Sequence, residues 1–250
     1  METSRNARAE WGLKDVIYGS LVAGFAVGLA ILGIVVAGLL VLQPADLESY
    51  LTTIAPVLGL GEWAMVLPAW WFGPRKYGGS LATLGFRPVP WGRMLAMVAI
   101  GLLIAFGATF VWGQINAYLE WTTQPEIGLV FGRGIWGFLA ALVVAGFVAP
   151  VAEEVFFRGF LQAGLENRFG TWLAILLTAL VFAVIHVFPG ALPPIFVLGI
   201  IFGVLRAETD SVWPCILLHG AFNALSVIAA YAMEVLPQVE TAWRALLGVI

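Results

Sequence analysis

Long apolar runs separated by short polar stretches dominate the pattern of this chain. Seven such runs cover residues 16–42, 51–73, 94–115, 134–165, 171–188, 192–205 and 211–233. A helical membrane span needs about 20 mostly apolar residues, and inside a bilayer the backbone N–H and C=O groups must pair within the protein. The pattern therefore predicts an all-α fold, a polytopic transmembrane helical bundle of about seven membrane helices that forms a single integral membrane domain over residues 1–250.

Composition and charge support this class and exclude others. Apolar residues make up 61% of the chain and charged residues 11%, whereas soluble domains carry about 25% charged residues. The net charge is −3, with no basic block, so we expect no nucleic-acid partner. The single cysteine, Cys215, excludes an internal disulfide and a cysteine-based zinc cluster. The first apolar run is longer than the core of a cleavable signal peptide, so we interpret it as a retained span.

The placement of Lys and Arg predicts the orientation, because cytoplasmic loops carry an excess of both. Nine of the 12 basic residues fall in the tail and loops on the N-terminal side and two on the other side, and Arg158 lies within the fourth run. We therefore expect an integral protein of a prokaryotic plasma membrane, with the N-terminus in the cytoplasm and the C-terminus outside. Two small-residue pairs, Gly24-x-x-x-Gly28 and Gly199-x-x-x-Gly203, are expected to allow close helix packing.

Three of the apolar runs contain polar residues that are costly in lipid. The fourth carries Glu153, Glu154 and Arg158, the fifth carries Phe182-x-x-x-His186, and the seventh carries His219-x-x-x-Asn223; the two histidines of the chain are both in this set. An ionisable side chain at mid-membrane costs at least about 2.5–3.5 kcal/mol on insertion scales. Each motif alone has a structural explanation, as an interfacial cluster or a hydrogen-bonded core group. Together they predict a functional site.

The two adjacent glutamates are expected to have different roles. Neighbouring residues on a helix point about 100° apart. Glu154 and Arg158 are four residues apart, in the favourable order for an ion pair on one helix face, so Arg158 is predicted to give structural support. Glu153 is then free to face a cavity, where a desolvated carboxylate can act as a general base.

The remaining candidates are placed by helix geometry. His219 and Asn223 share one helix face, which suits joint contact with a metal ion or an oxyanion. A turn near residues 166–170 would bring Glu153 and His186 to nearly equal depth on antiparallel helices. Glu62, in the middle of the second run, lines the same cavity or pairs with another buried polar group. The candidate catalytic residues are Glu153, Glu154, His186, His219 and Asn223.

Glu-Glu-x-x-x-Arg, Phe-x-x-x-His and His-x-x-x-Asn, in this order on separate helices, resemble the motifs of the CPBP family. That family includes the type II CAAX prenyl endopeptidases and the Abi proteins. The resemblance covers residues 134–225, the expected catalytic core, and includes Ala149-Pro150 before the glutamates. It implies an intramembrane endopeptidase that acts on a membrane-associated protein or peptide. In that function Glu153 activates the hydrolytic water, His186 assists, and His219 and Asn223 hold the oxyanion or help to bind a metal.

The cofactor, the substrate and two alternative functions stay open at this level. Glu153, His186 and His219 are a common zinc set, so we favour a metalloprotease with Zn, although a metal-free mechanism uses the same residues. The alternatives are a non-proteolytic transporter or scaffold with buried charged residues, and a binding or immunity protein whose site is unused. The lack of an inverted repeat disfavours a transporter. No motif indicates the substrate, its prenylation or the oligomeric state.

Overall fold

The computed structural model describes residues 9–42 and 47–246, and within them the secondary structure is helical, without strands. The α-helices are α1 (Leu13–Leu42), α2 (Leu47–Gly61), α3 (Val66–Trp70), α4 (Trp91–Leu119), α5 (Ile127–Phe131), α6 (Gly134–Val143), α7 (Ala149–Glu154), α8 (Ala163–Val184), α9 (Leu192–Thr209) and α10 (Trp213–Leu246). Short 3₁₀ turns cover Glu62–Met65, Leu81–Leu84 and Pro189–Ala191, and π-helical stretches cover Trp71–Arg75, Val144–Val148 and Val155–Gln162. The all-α prediction is confirmed.

Six helical runs of the described residues are long and apolar enough to cross a membrane. They are Leu13–Val41, Thr52–Arg75, Trp91–Leu119, Gly134–Val184, Pro189–Thr209 and Trp213–Met233. Large apolar side chains such as Tyr118 and Trp136 face outward, with 89% and 81% of their surface exposed. Such an apolar exterior is typical of a protein surrounded by lipid. The predicted polytopic bundle is thus confirmed.

The run from Gly134 to Val184 contains both the fourth and the fifth predicted segments, because the chain reverses direction at Gly170. This residue has φ 73° and ψ 168°, a conformation that favours glycine. The ring centroids of Phe157 and Phe182 are 5.1 Å apart, whereas residues 25 apart on one straight helix would be separated by about 37 Å. The predicted turn near 166–170 is confirmed, and the two arms form an antiparallel hairpin.

Other boundaries differ from the sequence prediction. The observed run Thr52–Arg75, which corresponds to the second predicted run, is a broken helix, because Pro56 and Pro74 lie inside it and proline interrupts helical hydrogen bonding. Helix α8 ends at Val184, so His186 lies in the following turn instead of on the helix. Helix α10 continues well past residue 233, because hydropathy marks the lipid-facing part of a helix and not its end. Arg5, Arg8 and Ile250, which enter the orientation argument, lie outside the described residues.

The two small-residue pairs behave differently. A Cβ atom added at Gly199 would lie 2.9 Å from the Cα of Ala179, and one at Gly203 would lie 2.8 Å from the side chain of Ile175. Helices α8 and α9 therefore pack closely through these glycines, as predicted. A Cβ added at Gly24 or Gly28 would meet nothing within 4 Å. The expected close packing at this first pair is wrong, because in the described part of the chain no atom of a neighbouring helix lies within 4 Å of either Cβ position.

Candidate active site

Glu154 is the central group of the site. Its side chain is fully buried at the end of α7. Its Oε1 accepts hydrogen bonds from Nη1 of Arg158 and from Nδ1 of His219, each at 2.9 Å. The carboxylate therefore pairs with Arg158, as the spacing of four residues predicted, and also links α7 to α10.

Arg158 is fully buried, and both of its terminal Nη groups donate hydrogen bonds. Its Nη2 donates to the carbonyl oxygen of Gly199 at 3.2 Å. Its guanidinium lies 4.5 Å from the ring centroid of Phe182 and 4.8 Å from that of Phe202, within the range of cation–π attraction. The arginine thus ties the hairpin of residues 134–184 to α9 from inside the bundle.

His219 stands between the two glutamates. Its ring stacks on Phe202 with centroids 4.8 Å apart. Because a carboxylate oxygen only accepts, Nδ1 is the donor to Glu154, and Nε2 lies 3.9 Å from Oε2 of Glu153. The two glutamates therefore approach opposite nitrogens of one imidazole. Both side chains are long enough to converge on a ring that lies between their directions, and the different roles expected of the two glutamates stay a prediction.

Glu153 opens onto a cavity of about 400 Å³. Its Oε2 is buried, and no donor in the described structure binds it. Glu62 and His186 line the same cavity, and the carboxyl group of Glu62 lies against that of Glu153. The two roles left open for Glu62 thus occur together, because it lines the cavity and also lies against another buried polar group, Glu153.

His186 is held by the end of α8. Its Nδ1 donates to the carbonyl oxygen of Phe182 at 2.7 Å, and its ring packs on that of Phe182 with centroids 5.0 Å apart. Because a carbonyl oxygen can only accept, Nδ1 carries the proton and Nε2 carries the free lone pair. His186 thus joins Glu153 at the cavity through the last turn of the hairpin.

Asn223 contacts a different part of the site. Its Nδ2 donates to the carbonyl oxygen of Ala145 at 2.9 Å, inside the π-helical stretch Val144–Val148 that precedes α7. One of its two N–H groups therefore holds α10 against the run that carries the glutamates. His219 and Asn223 share one face of α10, but Asn223 donates to a backbone carbonyl, whereas His219 contacts the candidate catalytic glutamates.

Comparison with known proteins finds a match to a family model in the part of the chain that contains the candidate catalytic residues. Residues 135–225 match the family model described as Type II CAAX prenyl endopeptidase Rce1-like. This part of the chain is therefore similar to that family. The matched residues include all five candidate catalytic residues, whereas Glu62 of the candidate site lies outside them.

One curated relative is named "Putative membrane peptidase YdiL", from Bacillus subtilis (strain 168). It is 28% identical over 87 residues, which cover 35% of this chain and 36% of the relative. The chain thus aligns with about a third of that protein. No solved structure matches this chain.

The expected zinc ligands of the candidate site have suitable chemistry but are not gathered. Both imidazoles donate from Nδ1, to a carboxylate or a carbonyl, which is the usual outer bond of a metal-bound histidine. Within residues 9–42 and 47–246, however, no three His, Cys, Asp or Glu side chains are arranged to hold a metal ion. The residues as placed do not fit a zinc ion, and the zinc expectation stays a prediction.

Sequence reasoning missed one polar residue that supports the candidate site. Gln162 is fully buried, and its Nε2 donates to the carbonyl oxygen of Gly203 at 3.1 Å and to Glu166 at 3.0 Å. Arg158 and Gln162 are four residues apart and bind Gly199 and Gly203, which are also four apart. This matched spacing was visible in the sequence. Cys215 is buried with its Sγ against the carbonyl oxygen of Phe202.

Proposed function

We propose that this protein is an intramembrane endopeptidase of the CAAX type, which hydrolyses a peptide bond of a membrane-associated protein or peptide. One observation carries the proposal. Glu153 presents a buried oxygen without a donor to a cavity that it shares with His186, beside an imidazole that Glu154 holds in place. A transporter or a scaffold does not need an oriented imidazole and a free carboxylate at one point.

In this mechanism Glu153 is the general base. A water molecule in the cavity gives a proton to Oε2 of Glu153 as its oxygen attacks the carbonyl carbon of the substrate. Glu153 then returns the proton to the leaving amine as the C–N bond breaks. His186 assists by holding the water through Nε2, because its Nδ1 is committed to the carbonyl of Phe182.

His219 and Asn223 stabilise the tetrahedral intermediate. Glu154 fixes the ring of His219 through Nδ1, as a buried carboxylate orients the imidazole of a catalytic triad. His219 enters the reaction as an imidazolium with a proton from solvent on Nε2, and this N–H donates toward the oxyanion and keeps its proton. The second N–H group of Asn223 is the other donor. Loss of one such donor typically reduces turnover by about 10²–10³-fold.

No step of this mechanism passes through a metal ion. The metal content of the purified protein, compared with that of His186→Ala and His219→Ala variants, decides whether zinc has a place. Zinc that is lost in both variants would support the metalloprotease prediction. Full activity of metal-free protein would leave Glu153 acting alone as base.

The decisive experiment compares wild type with Glu153→Gln in proteoliposomes. The probe is a quenched-fluorescent peptide with a farnesylated CAAX tail, the substrate class that the family description names, with proteomic profiling of the membranes to find others. We expect Glu153→Gln to abolish cleavage and to keep its folding temperature. The matched control, Glu126→Gln, changes an exposed loop glutamate and should keep activity. Normal turnover by Glu153→Gln would refute the proposal and favour a scaffold.

A further inference from the structure

The cavity at Glu153 has one wall that lies outside the family segment. Five residues of α1 form this wall, spaced by 3, 1, 3 and 4 positions and hence on one side of the helix: Ser20, Ala23, Gly24, Val27 and Ile31. Val181 of α8 and Ile185 just after it also line the cavity, together with the acidic groups Glu62 and Glu153. The cavity is therefore a cleft between α1 and α8.

The opening of this cleft is apolar and lies on the side of the bundle, between α1 and α8. Ile31, Val181 and Ile185 keep 38%, 44% and 51% of their surface exposed, and Gly24 is also exposed. The titratable residues that line the cavity are Glu62, Glu153 and His186. The exposed residues at the opening are therefore apolar and uncharged. A charged or strongly polar segment would lose its hydration on entry without gaining partners, whereas an apolar segment already in the bilayer would not.

Gly24 is the one residue of this α1 wall that has no side chain. A side chain there would meet nothing within 4 Å, so the glycine is not required by packing, unlike Gly199 and Gly203. A glycine in a helix costs about 1 kcal/mol relative to alanine. The open space in front of it is continuous with the cavity that contains Glu153.

We propose that Gly24 is a specificity-determining residue of this enzyme, because its missing side chain keeps a lateral passage between α1 and α8 open for an apolar substrate segment. The segment on one side of the scissile bond lies in this passage, with its backbone against α1 and the scissile carbonyl next to Glu153. This inference rests on the proposed function.

The test adds bulk at Gly24 and at a matched glycine. Gly24→Leu should lower kcat/KM for the farnesylated peptide by about tenfold or more, mainly through KM, since pocket contacts of this size discriminate by about 10–200-fold. Gly24→Ala should fall between Gly24→Leu and wild type. Gly28→Leu is the control. It lies one turn further along α1, where a side chain also meets nothing within 4 Å, and it does not line the cavity.

The outcomes separate the passage from the protease. If Gly24→Leu cleaves like wild type while Glu153→Gln is inactive, the passage is refuted and the protease stands. A second measurement, independent of cleavage, is binding of the same peptide to Glu153→Gln with and without Gly24→Leu. We expect about tenfold weaker binding with the added leucine and no change with Gly28→Leu. Equal binding, or no binding to Glu153→Gln itself, would overturn the inference.

Discussion

At the scale of single residues, Glu154 connects the structural and the chemical parts of the site. It binds a buried arginine through one bond and a catalytic candidate through another, both at the same oxygen. Glu153, its neighbour in sequence, has a buried Oε2 without a donor, as does Glu154. The contrast between the two carboxylates is that Arg158 and His219 bind Oε1 of Glu154, whereas Glu153 lines the cavity. Loss of Glu154 should therefore damage folding and activity, and loss of Glu153 activity alone.

Glu154→Gln should destabilise the protein by about 3–5 kcal/mol, because it leaves the charge of Arg158 buried without a countercharge. Thermal unfolding in detergent measures the change. The double variant Glu154→Gln/Arg158→Met, which also removes the unpaired charge, should recover part of the loss. A folding temperature for Glu154→Gln equal to that of wild type would contradict the structural role of the pair.

Asn223→Ala should reduce turnover by about 10²–10³-fold if its free N–H group serves the oxyanion. It should also cost about 1 kcal/mol of stability through the lost bond to Ala145. The kcat in proteoliposomes and the folding temperature measure these two effects. Ser226→Ala is a suitable control, because it removes a hydrogen bond to the carbonyl of Phe222 on the same helix. A small change in kcat would assign Asn223 to structure alone.

At the scale of elements, the hairpin that reverses at Gly170 brings its two arms and α9 together. Arg158 and Gln162 bind the carbonyl groups of Gly199 and Gly203, and these glycines allow α9 to approach α8 closely. The register of α9 against the hairpin is therefore set by polar bonds and by small residues at the same two positions. Because Arg158 also binds Glu154, a change in the packing of α9 against the hairpin is expected to shift Glu154 in the candidate active site.

Gly199→Leu should separate α8 from α9, because its Cβ alone would lie 2.9 Å from the backbone of Ala179. Overpacking of this kind costs about 1–3 kcal/mol or more, and we expect lower activity as Arg158 loses its carbonyl partner. The unfolding temperature and the cleavage rate check this expectation. Gly107→Leu, at an exposed position of α4 with nothing within 4 Å, should leave both unchanged. Equal behaviour of the two variants would argue against close packing here.

At the scale of the whole molecule, several connections meet at one end of the bundle. Asp15 near the start of α1 pairs with Lys76 and Tyr77, and Asn167 beside the hairpin turn donates to the carbonyl of Trp11. The loop before α4 is bound to the connection between α9 and α10, where the amide of Val212 donates to Gly85. These segments lie on the side to which the basic residues assign the cytoplasm. Their meeting agrees with the alternation of spans that the orientation argument assumes.

Reporter fusions test the orientation of the whole molecule. A reporter inserted at the exposed Gly78 of the 74–91 loop should read as cytoplasmic, and one fused after Ile250 should read as outside. The expectation follows from the excess of basic residues on the N-terminal side. Opposite readings would mean that the protein has the inverted orientation, and equal readings would mean that the number of spans is not seven.

The amino-acid sequence by itself determined the class of this fold and most of its chemistry. Apolar runs of span length leave helices as the solution in a bilayer, and the turn near 170 and the Glu154–Arg158 pair follow from helix spacing. Contacts between distant elements were decided by the tertiary structure alone. The approach of His219 to both glutamates, the place of Glu62 in the cavity and the open face at Gly24 depend on how α1, α7 and α10 pack. Helical periodicity specifies which residues share a face, but not which other helix that face meets.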